Sequence, residues 1–360
     1  MIPYGRQSID EDDIQAVAEV LRGDWLTQGP AVERFEQELA DKVEARHAVS
    51  FANGTAALHG ATYAAGLGPG DLLVTSSLSF AASANCGRYV GTDVEFIDID
   101  PKTLNLDPSS VPEEADALVA VHYAGLPVEL DRLNRRPRII IEDAAHAIGA
   151  STPDGPVGNC ARSDMVMFSF HPVKTMTTAE GGAITTNDDE LADRLRRFRH
   201  HGIVRTPDEG AWAYDIPELG MNYRLTDVHA ALGSSQLRKL ERFIDRRHEL
   251  ACRYDEMLAE LPVERAPAAP PGSVHGHHLY PVRVANRRAV FDHLRDNGIL
   301  VQVHYVPIHR QSAYADPDRA LPRTDEAYEQ LLSLPLFPTL TDKDQDRVVE
   351  VLSEAIGAHR

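Results

Sequence analysis

Between residues 47 and 186 the chain alternates short apolar runs with helical text, the runs being Leu72 to Val74, Val94 to Ile97, Ala117 to Val121, Ile139 to Ile141 and Met165 to Phe168. Apolar runs without strict alternation fit strands covered on both faces, and strand-helix repetition predicts an α/β fold around a mostly parallel sheet. Ahead of this region Ser8-Ile9-Asp10-Glu11 has capping-box spacing, and Ile14, Val17, Val20 and Leu21 recur at helical intervals. A helix over about Ile9 to Leu21 follows. Pro30 marks the first turn of a second helix. Leu191, Leu195 and Phe198 continue a helix from about Asp189, and a long helical stretch runs from about Thr226 to Leu261.

Pro262 and the stretch Ala266-Pro267-Ala268-Ala269-Pro270-Pro271-Gly272 then break the pattern, as a linker or extended loop does. A smaller C-terminal α/β domain is expected beyond it. Its signals are strand-like His278 to Val284, helical Ala289 to Asn297, strand-like Leu300 to His304 and a last helix from Asp342 to Ile356. The division predicted is 1–245 for an N-terminal segment and large domain, and 246–360 for the small domain.

Composition narrows the class. With 360 residues, 43% of them hydrophobic, the chain is long enough for a large core and more than one domain. A formal net charge of −19 argues against a nucleic-acid surface, which needs clustered Lys and Arg in excess. An anionic small substrate stays open, because a few placed basic groups suffice for it. No run reaches the roughly 18 apolar residues of a membrane span, and the first residues lack a basic and apolar leader, so a cytoplasmic protein is expected. Cys86, Cys160 and Cys252 are odd in number and widely spaced. Neither a disulfide framework nor a metal site is expected from them.

Lys174 lies in Phe168-Ser169-Phe170-His171-Pro172-Val173-Lys174-Thr175, just before the Gly-rich Glu180-Gly181-Gly182-Ala183. A cofactor aldehyde such as that of pyridoxal 5'-phosphate needs an amine to hold it and a carboxylate to keep its ring nitrogen protonated. Lys174 and Asp143 are the candidates for these two roles. Asp143 follows Ile139-Ile140-Ile141-Glu142, near the carboxyl end of an expected parallel strand, where open α/β sheets place ligands. A helix cap is the plainer alternative for Asp143, and an exposed surface position for Lys174. Asn53-Gly54-Thr55 at the start of an expected helix offers amides and a hydroxyl to a phosphate, although the same triplet makes an ordinary turn. Ser169 adds a hydroxyl. Phe80 stands where a ring could stack, against core packing as the alternative. His146 reads as a structural histidine, since no further metal ligands appear at diagnostic spacing.

Taken together, Asn53-Gly54-Thr55, Phe80, Asp143-x-x-His146, Ser169-Phe170-His171-x-x-Lys174, Glu180-Gly181-Gly182 and Gly220-Met221-Asn222-Tyr223-Arg224 resemble the DegT/DnrJ/StrS sugar aminotransferases in order and spacing. The resemblance runs from Leu26 to His309. It implies an aspartate-aminotransferase-like fold (PLP fold type I), bound pyridoxal 5'-phosphate and a homodimer with active sites at the subunit interface. By the same resemblance Lys174 is the Schiff-base lysine, Asp143 the pyridinium partner and Phe80 the stacking residue. Gly54, Thr55 and Ser169 match phosphate-side positions, His146 a cofactor-side position, and Asn222 a residue lent to the neighbouring subunit. Histidine at position 146 departs from the glutamine of many relatives and matches some members that act at sugar C4.

The implied reaction moves an amino group from L-glutamate to a nucleotide-linked keto sugar. The run His171 to Gly182 resembles the C4-specific branch, and nearest to it the pseudaminic-acid branch that forms UDP-4-amino-4,6-dideoxy-N-acetyl-β-L-altrosamine. Tyr4, Asp24, Trp25, Leu26, Thr27, Arg224, His304, Tyr305, Val306 and Pro307 are the substrate-side candidates implied, with ordinary loop and strand packing as the alternative. Other readings are a C4 or C3 aminotransferase on another UDP- or dTDP-keto sugar, a sugar dehydratase of the same fold, and a non-catalytic regulatory protein. Histidine replaces the lysine in the dehydratases, so Lys174 argues against that reading.

Overall fold

The computed structural model describes residues 1–316 and 319–358. Its centre is a sheet of seven strands, each five residues long: β1 (His47–Phe51), β2 (Leu72–Ser76), β3 (Asp93–Ile97), β4 (Ala117–Val121), β5 (Ile139–Asp143), β6 (Met165–Ser169) and β7 (Gly182–Thr186). The order across the sheet is β1-β7-β6-β5-β4-β2-β3, and only β7 runs against its neighbours. All five apolar runs read between residues 47 and 186 are strands of this sheet.

Burial on both faces explains why these runs do not alternate with polar residues. Ala48, Val166, Phe168 and Ala183 point into a core shared with Phe35 and Leu39 of the helix Pro30–Lys42 and with Ala230 and Leu237 of the helix Asp227–Leu237. Their neighbours Val49, Met165, Met167 and Ile184 point the other way, onto Leu58 and Ala61 of the helix Gly54–Ala64 and Leu195 of the helix Asp189–Phe198. Side chains one residue apart thus enter opposite cores.

Several element boundaries differ from expectation. The first helix is Glu11–Arg22, and its capping box joins Asp10 and Asp13 rather than starting at Ser8. Lys239 explains the choice, because its ammonium pairs with both carboxylates and pins the helix start there. The long stretch after Thr226 is two helices, Asp227–Leu237 and Leu240–Met257. The second crosses the expected 245/246 division: Leu240 and Ile244 lie in the first core, whereas Leu250, Ala251 and Tyr254 lie in a separate C-terminal core. Of the strand expected over Leu300 to His304, only Ile299–Leu300 forms, paired in parallel with Ile2–Pro3. Its partner is two residues long, so the ladder stops. A helix Pro322–Gln330 and a strand Leu331–Leu334, antiparallel to Tyr280–Arg283, were not foreseen. The last helix is Asp342–Ala358.

One buried cation ties the C-terminal core to the chain that leads into it. Arg247 is fully buried, and its Nη1 donates to the carbonyls of His277 (3.2 Å), His278 (3.2 Å) and Leu336 (2.9 Å). Burial lowers its pKa to about 10. Arg247→Ala strips a shared donor from three carbonyls and is expected to destabilise the fold by about 3 kcal/mol, measured as a fall in the denaturant midpoint.

Candidate active site

The carboxyl ends of the parallel strands open into a cavity of about 330 Å³. Asp143 reaches it from the end of β5, Ser169 from the end of β6, and Gly54 and Thr55 from the turn that follows β1. Lys174 sits in the excursion between antiparallel β6 and β7, residues 170–181. Phe170 N–H donates to the Gly181 carbonyl (2.9 Å), Thr178 N–H to the Phe170 carbonyl (3.0 Å), and Thr177 Oγ1 to the same carbonyl (2.9 Å). These bonds close the loop at its base and leave Lys174 on the cavity wall.

The turn after β1 is shaped for an anion. Asn53 caps the helix Gly54–Ala64: its side chain accepts from Ala56 N–H (2.8 Å) and its carbonyl from Ala57 N–H (3.1 Å). The Gly54 and Thr55 amides therefore have no acceptor within the helix, at the positive end of its dipole. Glycine at 182 is required by the same turn, because a Cβ there would lie 2.7 Å from Asn53 C and Gly54 N. The Gly-rich run is the seat against which the turn rests.

Burial dominates the electrostatics. Asp143 is buried, which raises its pKa; hydrogen bonds from Ser83 and from Ala145 N–H, and the charge of Lys174, work against that rise. Lys174 is lowered to about 8 by desolvation, offset in part by Asp143. Burial likewise drives His146 and His278 well below the usual imidazole value and His304 to about 3. Three neutral imidazoles therefore stand near the lysine. His146 Nε2 lies 3.0 Å from the Tyr305 hydroxyl, whose pKa burial pushes well up.

Of the candidates read from the sequence, the cavity brings together Lys174, Asp143, His146, Phe80, Gly54, Thr55, Ser169, Tyr4, His304 and Tyr305. Asp24, Trp25, Leu26, Thr27, Asn222, Arg224, Val306 and Pro307 do not line it within one chain. Asp24 to Thr27 form an exposed loop, tied down where Thr27 bridges Thr226 and Asp227 N–H donates to the Leu26 carbonyl. Asn222 is exposed and bridges His200. Arg224 lies beside His200 (Nη1 to Nδ1, 2.9 Å), and no carboxylate pairs with it among the described residues. Phe80 is 61% exposed, so it is not a core residue. Sequence reading missed His278, which lines the cavity beside His146 with ring centroids 4.4 Å apart. The signal was its place in His275-Gly276-His277-His278, directly after the Pro-rich linker. Among the described residues, no group of three or more His, Cys, Asp or Glu could hold a metal, and no helix is long and apolar enough to cross a membrane.

Residues 7–353 match the DegT/DnrJ/EryC1/StrS aminotransferase family. The chain belongs to that family. It is 35% identical to the spore coat polysaccharide biosynthesis protein SpsC of Bacillus subtilis (strain 168), over 99% of this chain and 97% of SpsC. Among solved structures, Helicobacter pylori PseC, an aminotransferase involved in the biosynthesis of pseudoaminic acid, superposes with a TM-score of 0.92 at 29% identity, covering 99% of each chain. The aminotransferase TlmJ of Streptoalloteichus hindustanus gives 0.93 at 31% identity, covering 100% of each chain. The family uses pyridoxal 5'-phosphate, and this member is a PLP-dependent sugar aminotransferase with the expected aspartate-aminotransferase-like architecture.

The residues present fit that cofactor. A buried carboxylate, a lysine with a lowered pKa and two unbonded helix-start amides share one cavity, and the Ser169 hydroxyl lies against Gly54, where an added Cβ would be 3.3 Å from it. Because the Lys174 pKa is about 8, capture of pyridoxal 5'-phosphate by the cofactor-free protein is expected to quicken with pH and level off above about 8 in stopped-flow absorbance. A midpoint near 10.5 would show a solvated amine instead. The folded protein binds fewer protons than the unfolded chain between these values, so Lys174 makes stability rise with pH across that window.

Proposed function

We propose that the protein transfers the amino group of L-glutamate to C4 of a UDP-linked 4-keto-6-deoxy sugar, forming UDP-4-amino-4,6-dideoxy-N-acetyl-β-L-altrosamine in the cytoplasm. The observation that carries the aminotransferase chemistry is the convergence of Lys174, Asp143 and the Gly54-Thr55 turn on one cavity. The sugar assignment is supported by the His171 to Gly182 run, by histidine at position 146, and by the likeness to PseC.

When bound, the cofactor supplies an electron sink that lets a proton leave the carbon bearing the amine. Asp143 keeps a proton on the ring nitrogen, and a charge-assisted hydrogen bond in a dry site makes that hold strong. Gly54, Thr55 and Ser169 would hold the phosphate, and Phe80 would stack on the ring. Lys174 would hold the cofactor aldehyde until the donor amine takes its place. Its freed amine, neutral over much of the pH range above about 8, then moves the proton from the donor carbon and later returns one to the sugar carbon. His146 and Tyr305 add uncharged polar contacts, and Tyr4 and His304, whose ring centroids lie 5.2 Å apart, form the wall on the substrate side.

We infer a homodimer in which each subunit completes the other's site. Trp212 is 79% and Leu219 86% exposed, and Tyr214, Ile216, Met221 and Trp25 are exposed as well. So many large exposed apolar side chains within the short stretch 212–221 point to an interaction surface. Asn222 and Arg224 follow it directly in the chain, and with the Asp24 to Thr27 loop they are the residues offered to the partner's cavity. The large domain, 1–245, would form the dimer and hold the cofactor, with 246–360 closing the substrate side.

Three measurements test this reading. Incubation with L-glutamate and a panel of UDP- and dTDP-linked keto sugars, with NMR assignment of the products, should give a 4-amino sugar from the UDP 4-keto-6-deoxy substrate; amination at C3 or of dTDP sugars alone would redirect the assignment. Lys174→Ala should lower turnover at least about a hundredfold. Mixing unfolded Lys174→Ala and Asn222→Ala chains and refolding them together should restore about a quarter of wild-type activity, since half the dimers carry one intact site. No recovery would confine each site to one chain.

A further inference from the structure

The cavity contains a hydroxyl chain that the chemistry above does not use. Ser83 Oγ donates to Asp143 Oδ2 at 2.6 Å, and Ser79 Oγ lies 2.8 Å from Ser83 Oγ. Both serines are buried, Ser83 completely. An ionised carboxylate can only accept, so the single Ser83 proton must point to Asp143. Ser83 then accepts, and the Ser79 proton must point to Ser83, leaving the Phe80 carbonyl at 3.3 Å as its lesser alternative. The chain therefore runs one way, and hydrogen bonds in such a series polarise one another toward the negative end.

We propose that Ser83, backed by Ser79, is a positioning residue that keeps Asp143 ionised and turned toward the ring nitrogen of the cofactor. This rests on the assignment of Asp143 as the ring-nitrogen partner. Burial alone works against that state. The charged and titratable groups that act on Asp143 are Lys174 and His122, which favour its charge, and Cys86 and Tyr305, which its charge disfavours from ionising. Lys174 is not a constant neighbour, because its amine is held, freed and protonated in turn during the reaction. The constant donors are Ser83 and the Ala145 amide, the latter at 3.2 Å. Ser79 also precedes Phe80, so one chain links the residue that covers the ring to the residue that grips its nitrogen.

The test is the pH titration of the holoenzyme's visible absorption, with cofactor affinity measured alongside. A less firmly ionised Asp143 leaves the ring less positive, and the nitrogen joining Lys174 to the cofactor then keeps its proton to higher pH. Ser83→Ala should raise the midpoint by about one pH unit and weaken cofactor binding about tenfold. Ser79→Ala should shift both the same way by less, and Ser83→Thr should behave as wild type. Asp143→Asn sets the full range. If Asp143→Asn moves the midpoint while folded Ser83→Ala leaves midpoint and affinity unchanged, the inference is overturned and the Asp143 assignment stands. If neither moves it, both are wrong. Should Ser83→Ala fail to fold, an unmoved midpoint in Ser79→Ala overturns the relay. A lower melting temperature with an unmoved midpoint counts as a purely structural role and also overturns it.

Discussion

A carboxylate at the end of a buried strand is the constraint around which this protein is organised. Asp143 has no bulk water to hold its charge, so the charge must be held by neighbours. The fold brings them from separate places: Ser83 from the helix after β2, the Ala145 amide from the turn after β5, and Lys174 from the β6–β7 excursion. The β6–β7 excursion and the end of β5 meet at the same cavity. The same burial keeps His146, His278 and His304 neutral, so the cavity gains polar atoms without gaining positive charges that would compete with the lysine.

Anion binding in a chain of net charge −19 is then a matter of placement rather than of charge count. The phosphate-side turn has no lysine or arginine of its own; it offers helix-start amides and hydroxyls. Arg224 lies beside His200, half-buried, and pairs with no carboxylate among the described residues.

The strands, and the meeting of Lys174 and Asp143 at one cavity, were legible because each depends on local text. Doubly covered strands read as plain apolar runs, and Lys174 and Asp143 sit at fixed distances from strand ends. What depended on distant pairing was not legible. Ser83 is an ordinary serine in helical text whose partner is 60 positions away. His278 reads as the start of a strand until the Gly276 amide bonds the Gly125 carbonyl and brings it beside His146. Lys239, more than two hundred positions from Asp10, decided where the first helix starts. The loop from Asp24 to Thr27, with Asn222 and Arg224, carries a motif that says nothing about which chain's cavity it serves.

The pairing of Ile2–Pro3 with Ile299–Leu300 gives the chain an order of assembly. Tyr4 follows directly, and its carbonyl accepts from Leu336 N–H at 3.0 Å, so residues 2–4 find their partners only after residues 299–336 have been made. The seven-stranded sheet can close while the amino terminus still waits. The sheet side of the cavity, with Lys174 and Asp143, can therefore form before Tyr4 and His304 close its other side.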